Sequence, residues 1–120
     1  MKLVIFLLLV SFATISNSQD ISTITTEQAK DFIGKKVTVC GEVKGTHVTK
    51  GKVNFLRFGS DYPNQVFSVI IYANDAIKFK ETPANVYAGK TICVTGVINL
   101  YEGKPEMEID TESQVKIQEE

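Results

Sequence analysis

The sequence contains no tryptophan, one histidine and two cysteines among its 120 residues. Side chains that hold metal ions or form nucleophilic triads are therefore scarce, and His47 stands alone in a predicted loop without a serine or cysteine partner. Arg57 is the only arginine, whereas nuclease chemistry needs arginines on the phosphate beside clustered carboxylates. From these absences the sequence predicts no enzyme, no cofactor and no metal site.

Three carboxylates near the end of the chain come closest to a metal site. Glu106, Glu108 and Asp110 alternate along a predicted strand, an arrangement that can attract Ca²⁺. The commoner explanation is an exposed edge strand whose charges prevent aggregation. Asp61, in a segment rich in turn residues, is interpreted as a turn former.

The sequence contains 13 basic and 14 acidic residues, so its net charge is −1 and neither sign of charge dominates. This balance excludes a strongly basic protein that coats nucleic acid. The charges are unevenly spread: residues 30–90 carry ten basic and five acidic side chains, whereas residues 101–120 carry two and seven. Any positive surface is therefore expected in the first two thirds of the chain.

Long apolar runs are few, and the most evident one lies at the N-terminus. Residues 3–10 are uninterruptedly apolar, and Ser16 and Ser18 are small residues at positions −3 and −1 of a potential cleavage site. The run turns polar well short of the about 20 apolar residues that a spanning helix needs. Residues 1–18 are therefore predicted to be a signal peptide, with export to the periplasm or beyond and no membrane span after processing.

After a polar leader at residues 19–24, residues 25–120 are predicted to form one domain. Thr25 and Gln28 form a potential capping box for a short helix that ends at Gly34. Apolar patterning then predicts five strands, at residues 37–43, 52–58, 66–72, 91–100 and 106–110. Turn residues separate them, with a loop at 45–51, a turn at 59–65, a short helix within 73–88 and a tight hairpin at 102–105.

The two cysteines lie in the first and fourth predicted strands. Strand alternation places Val37 and Val39 on one face and Cys40 on the other, and places Cys93 on the outward face of its own strand. If the two strands are neighbours, both thiols lie on the same side, and an oxidising compartment permits a Cys40–Cys93 disulfide. The alternative is a pair of buried free thiols, which are common in small cores.

Three strands, a helix and two further strands follow in the order of a five-stranded OB barrel. Three segments resemble small exported bacterial OB-fold domains of the nucleic-acid-binding, tRNA-anticodon-like kind: AKDFIGKKVTVCGEV, VNFLRFGSDYPNQVFSVII and YAGKTICVTGVINLYEGKPEMEI. The most specific features are the Gly-Lys pairs before the first and fourth strands and the hairpin at residues 101–105.

The resemblance spans residues 29–117 and implies an all-β fold with short helices. We expect a five-stranded Greek-key barrel preceded by a short N-terminal helix. In such barrels the first strand pairs antiparallel with the fourth, which is the arrangement that a Cys40–Cys93 bridge requires.

OB barrels hold single strands in a positive groove with bases stacked on aromatic rings. Residues 44–57 contain no acidic side chain and carry four basic ones, Lys44, Lys50, Lys52 and Arg57, which are candidates for lining such a groove. The alternative is that this segment is a solvated hairpin whose lysines keep the protein soluble. In the second strand Phe55 and Arg57 share one face and Phe58 lies on the other, so the pattern leaves open which ring is exposed. The candidate nucleic-acid-binding residues are Lys44, Lys50, Lys52, Phe55, Arg57, Phe58, Tyr72, Tyr101 and Lys104.

The sequence thus predicts an exported OB-fold module that binds single-stranded nucleic acid. The alternative is a periplasmic OB domain that binds a small or cationic ligand, or a protein partner, in envelope stress or assembly. The acidic C-terminal third of the chain favours the alternative. A continuous positive groove across the second and third strands would favour nucleic acid, whereas a negative or apolar cleft would favour the alternative.

Overall fold

The computed structural model describes residues 20–118, so the predicted signal peptide, residues 1–18, lies outside the described part. The strands are β1 (Thr23–Thr25), β2 (Lys36–Val48), β3 (Asn54–Phe58), β4 (Phe67–Ile71), β5 (Thr91–Tyr101), β6 (Lys104–Glu108) and β7 (Val115–Ile117). Two α-helices, α1 (Ala73–Ala76) and α2 (Pro83–Val86), and two 3-10 turns, at Ala29–Asp31 and Glu112–Gln114, complete the elements. Among residues 20–118 no helix has both the length and the apolar character to cross a membrane.

Five of the strands close into the predicted barrel. Their order is β2-β3-β4-β6-β5, and a further pairing between β2 and β5 closes the sheet on itself. The closing pair is antiparallel, with residues 36–42 of β2 opposite residues 91–97 of β5. The register shifts between Val43 and Gly45, after which β2 continues along β3. This bulge allows one long strand to belong to both walls of the barrel.

Alternating side chains from the strands fill the barrel. Val37 and Val39 of β2 point inward as predicted, and Phe67, Val69 and Ile71 of β4 belong to the same core. Phe58 and Phe67 pack with their ring centroids 5.4 Å apart and have no exposed surface. Burial of each large side chain stabilises the fold by about 1.5–3 kcal/mol. The packed core therefore holds the barrel strands, and the side chains on their outer faces, in fixed positions.

The N-terminal segment differs from its prediction. Thr23 and Ile24, assigned above to a polar leader, belong to β1, which pairs in parallel with β2. The short helix has the predicted place but is a single 3-10 turn, held by i→i+3 bonds such as the one from the Phe32 amide to the Ala29 carbonyl. Half of the capping box forms, because the Thr25 amide donates to Gln28 Oε1 at 2.9 Å. Gly34 adopts the predicted left-handed conformation, with φ of 84°.

The disulfide between Cys40 and Cys93 is present, as predicted. The two residues lie directly opposite each other in the β2–β5 ladder, with their Cα atoms 4.1 Å apart. Val39 and Val94, the next pair along, are fully buried, so the disulfide lies on the outer face of the barrel wall. The covalent bond therefore joins the two strands whose pairing closes the barrel.

Candidate ligand-binding groove

Two adjacent depressions lie on the outer face of β3 and β4, beside the hairpin that joins β5 to β6. We call the larger one, of about 450 Å³, the groove, and the smaller one, of about 270 Å³, the side pocket. Both are lined by Phe55, Tyr101 and Glu106. The groove is also lined by Arg57, Tyr62, Pro63, Gln65, Ser68, Glu102, Lys104 and Pro105. The side pocket is also lined by Thr49, Val53, Ile70 and Tyr72.

The structure settles which face of β3 is exposed. Asn54, Leu56 and Phe58 are buried, whereas Phe55 and Arg57 point outward into the groove. The assignment of Phe58 as a stacking residue is therefore wrong, because its side chain fills the barrel and is inaccessible to a ligand. The pattern alone was ambiguous because a polar residue, Asn54, occupies a buried position of this strand.

Arg57 is held between two aromatic rings. Its guanidinium carbon lies 5.4 Å from the centroid of Phe55 and 5.1 Å from that of Tyr62, within the range of cation–π attraction. Asp61 accepts a bond from Arg57 Nη1 at 3.5 Å and one from the Tyr62 amide at 2.8 Å, which confirms its role in the turn. A Cβ at Gly45 would overlap the Asp61 carboxyl, so glycine there allows the turn to approach β2.

The β5–β6 hairpin brings two further predicted residues to the groove. Tyr101 and Lys104 are paired across a two-residue turn, whose residues Glu102 and Gly103 have φ of 49° and 80°. These angles are those of a primed hairpin turn, which favours glycine at its second position. Lys104 Nζ donates to the Pro63 carbonyl, so the hairpin is tied to the turn that follows β3.

The side pocket combines aromatic rings with one carboxylate. Phe55, Tyr72 and Tyr101 line it, and Tyr72 and Tyr101 are 44% and 59% exposed, so these tyrosines are accessible to a ligand. Burial, and after it the neighbouring charge of Glu108, raises the pKa of Glu106. β6 lies between β4 and β5, so the interpretation of its carboxylates as an edge-strand ladder is wrong.

Three predicted lysines lie outside the depressions. Lys44 is exposed on β2 and pairs with Glu42 at 2.9 Å. Lys50 is exposed in the β2–β3 loop, whose ends Thr49 and Val53 border the side pocket. Lys52 lines a separate cavity of about 690 Å³ against the α1–α2 segment. Of the nine candidates, the structure therefore brings together Phe55, Arg57, Tyr72, Tyr101 and Lys104.

Tyr62 and Glu106 are among the lining residues that were not candidate nucleic-acid-binding residues. Tyr62 is 68% exposed, and a signal for it existed, because a large aromatic residue stands within the polar turn at residues 59–65. The sequence singled out Glu106 only as one of three alternating carboxylates, because its place in the groove depends on β6 lying beside β4. That parallel pairing joins strands separated by more than thirty residues of sequence.

The groove does not carry a continuous positive charge. Arg57 and Lys104 are its basic lining residues, and Glu102 and Glu106 are its acidic ones. Within residues 20–118, no group of three or more His, Cys, Asp or Glu side chains is arranged to hold a metal ion. The arrangement is therefore suited to a ligand that stacks on aromatic rings and makes only a few charged contacts.

The closed five-stranded barrel, its Greek-key strand order and the outward face of β3 and β4 together define an OB fold. No protein-family model and no curated protein sequence matches the chain. Solved structures do match its fold.

Asparaginyl-tRNA synthetase from Pyrococcus horikoshii aligns with a TM-score of 0.55 and 15% identity, covering 81% of this chain and 23% of the synthetase. A chain of the S. pombe Stn1–Ten1 complex aligns with a TM-score of 0.54 and 16% identity, covering 71% of this chain and 59% of that one. The OBody AM1L10, bound to hen egg-white lysozyme, aligns with a TM-score of 0.54 and 16% identity, covering 82% of this chain and 95% of that one. At these identities the similarity is one of fold, and the chain spans about a quarter of the synthetase.

Proposed function

We propose that this chain is a binding module, not an enzyme, which holds a short single-stranded nucleic acid across the groove and the side pocket. The observation that carries the proposal is the gathering of Phe55, Tyr62, Tyr72 and Tyr101 on one surface of the barrel. Every base has a flat face, so such rings bind single strands with little sequence preference, at about 1–3 kcal/mol per stacked base.

A few basic side chains are available for the phosphates. Arg57 and Lys104 lie in the groove, and exposed Lys50 lies in the loop that borders the side pocket. Lys52 belongs to the same loop and adds to its positive charge. Because acidic residues also line the groove, stacking contributes more to the proposed affinity than phosphate contacts do.

The fold similarity supports this proposal only in a general way. The tRNA synthetase named above acts on a nucleic acid, and an OB barrel like this one forms part of it. This chain covers a small part of that enzyme, so its aminoacylation chemistry has no bearing here.

The first experiment measures binding of short single-stranded DNA and RNA by fluorescence anisotropy at two salt concentrations. Tyr101→Ala is expected to weaken binding by roughly 5- to 150-fold because one stacking face is lost. Tyr101→Phe keeps the ring and serves as the matched control, with affinity close to that of the unchanged protein.

The same assay tests the loop lysines. Replacing Lys50 and Lys52 together by alanine is expected to reduce the salt slope by roughly 1.4, at about 0.7 per lost phosphate contact. Replacing Lys36 and Lys116 together removes the same charge from strands that do not line the groove, and should leave the groove contacts intact. If folded, oxidised protein binds no single strand even at low salt, the nucleic-acid proposal is wrong.

A small or cationic ligand, or a protein partner in envelope stress or assembly, is the second candidate. The balanced charge of the groove and the half-buried Glu106 favour it. The OBody, which has a similar fold, is bound to a protein. Isothermal titration with a small organic cation, in the absence of nucleic acid, tests this candidate separately from the first.

We further propose that the chain is exported after removal of residues 1–18. The Cys40–Cys93 disulfide supports this, because such bonds persist in oxidising compartments. N-terminal sequencing of the protein expressed with its own N-terminus should find Gln19 first. A retained Met1 in a membrane fraction would contradict both the cleavage and the export.

A further inference from the structure

The side pocket has a composition different from that of the groove. Phe55, Tyr72 and Tyr101 supply three aromatic rings, Glu106 supplies a carboxylate, and no basic side chain lines it. We propose that the side pocket binds a small quaternary ammonium group, such as the headgroup of choline. This inference rests on the second candidate function, a cationic ligand, and names the class of cation; it does not rest on the nucleic-acid proposal.

The aromatic residues provide the first reason. The face of an aromatic ring carries a negative partial charge and attracts a cation that lies within about 6 Å of its centre. Several rings around one pocket are the arrangement by which proteins recognise methylated ammonium groups. Tyr72 and Tyr101 come from the ends of different strands and both reach this pocket, so a ligand there would contact rings on more than one side.

Glu106 provides the second reason. Among residues 20–118, its carboxylate makes no side-chain hydrogen bond and no ion pair, although it is only partly exposed. The two nearby cations have other partners: Arg57 pairs with Asp61, and Lys104 donates to the Pro63 carbonyl. Glu106 therefore has no ion-pair partner among the described residues, and a cation bound in the side pocket would supply one.

The size and the lining favour a compact, methylated cation. At about 270 Å³ the pocket is below the range of roughly 300–1,000 Å³ that is usual for drug-sized ligands. A primary ammonium is strongly hydrated and needs acceptors for three donors, whereas methyl groups can lie directly against ring faces. Val53 and Ile70 add apolar surface for such methyl groups.

The experiment is a calorimetric titration of the oxidised, folded protein with choline and with its neutral isostere 3,3-dimethylbutan-1-ol. Choline is expected to bind at millimolar or lower concentration, and the isostere about tenfold more weakly because it lacks the charge. Equal binding of the two, or no binding of choline at millimolar concentrations, would overturn the proposal.

Three variants identify the pocket. Glu106→Gln, which preserves size, and Tyr72→Ala are each expected to weaken choline binding by about tenfold. Glu27→Gln is the matched control, since Glu27 is an exposed carboxylate that lines neither the groove nor the side pocket. Choline affinity that responds equally to Glu27→Gln and Glu106→Gln would contradict this site. Because no nucleic acid is present, failure here leaves the nucleic-acid proposal unaffected, and failure of strand binding leaves this one unaffected.

Discussion

Asn54 is a polar residue inside the barrel wall, with 2% of its surface exposed. Its Oδ1 accepts a hydrogen bond from the Ala84 amide at 3.0 Å, and its Nδ2 donates to the Lys52 carbonyl at 3.2 Å. Asn54 thereby supplies the hydrogen-bond acceptor for the Ala84 amide in the first turn of α2, and it holds the loop before β3 in place. It shares the inward face of β3 with Leu56 and Phe58, whereas Phe55 and Arg57, between them, face outward.

Asn54→Ala is therefore expected to lower the free energy of unfolding by about 1–3 kcal/mol, because the buried Ala84 amide loses its acceptor. Urea denaturation measures the change. Asn99→Ala, at an exposed position of β5, is the control and should alter stability by less than about 0.5 kcal/mol. Equal stability of the two variants would show that the Ala84 amide finds another acceptor.

Glu106 illustrates the conflict between stability and the proposed binding of a cation. Burial raises the pKa of its carboxyl, so the folded protein holds the proton more tightly than the unfolded chain does. Below about pH 4.3, the usual pKa of a glutamate, both states are protonated and burial of this group carries no charge penalty. As the pH rises through the folded-state pKa, the protein must bury a charge and loses stability.

Glu106→Gln should accordingly raise the melting temperature at pH 7, and the gain should shrink as the pH falls towards 4. Glu27→Gln removes a carboxylate from an exposed position and should show no such pH-dependent gain. Thermal unfolding followed by circular dichroism at several pH values tests both. A lower melting temperature for Glu106→Gln at pH 7 would mean that the carboxylate makes a stabilising contact.

At the scale of elements, the five barrel strands could be predicted from alternation and turn residues. The three-residue strands β1 and β7 could not, because a period of two is not recognisable over so short a length. β1 is defined instead by the burial of Ile24 against the core and by its pairing with β2. The candidate site likewise could be predicted only in part. Most of its aromatic residues could be proposed from the sequence, whereas their proximity to Glu106 depends on the tertiary pairing of β4 and β6.

The contribution of β1 can be measured through Ile24, which is 6% exposed. Ile24→Ala is expected to destabilise the protein by about 2 kcal/mol or more, since it leaves a cavity beside the core. Ile21→Ala, at a position 41% exposed, is the matched control and should have a small effect. If both substitutions leave the unfolding midpoint unchanged, β1 does not contribute to the stability of the barrel.

At the scale of the whole molecule, one covalent bond reinforces the closure of a small barrel. The disulfide closes a loop with a sequence separation of 53 residues, across the pair of strands that completes the sheet. In the chain-entropy model a loop of this length contributes roughly 4 kcal/mol, through restriction of the unfolded chain. Small domains are stable by only about 5–15 kcal/mol in total, so this share is large.

Reduction of the disulfide should therefore lower the melting temperature by more than about 10 °C. Calorimetry of the oxidised and reduced protein measures the difference, with thiol titration to verify the redox state. A variant in which alanine replaces Cys40 and Cys93 should melt like the reduced protein and should not respond to reductant. Identical melting temperatures of the oxidised and reduced forms would show that the closure is maintained without the bond.

β1 and β7, the first and last strands of the described chain, flank β2 and β5, and neither lines the groove or the side pocket. A linker attached near residue 20 or residue 118 would thus begin from elements that take no part in the proposed binding surface. The barrel can be immobilised on a sensor chip, displayed on a particle or joined to further copies in series through either end. In each format its aromatic surface should stay open to the surrounding solution.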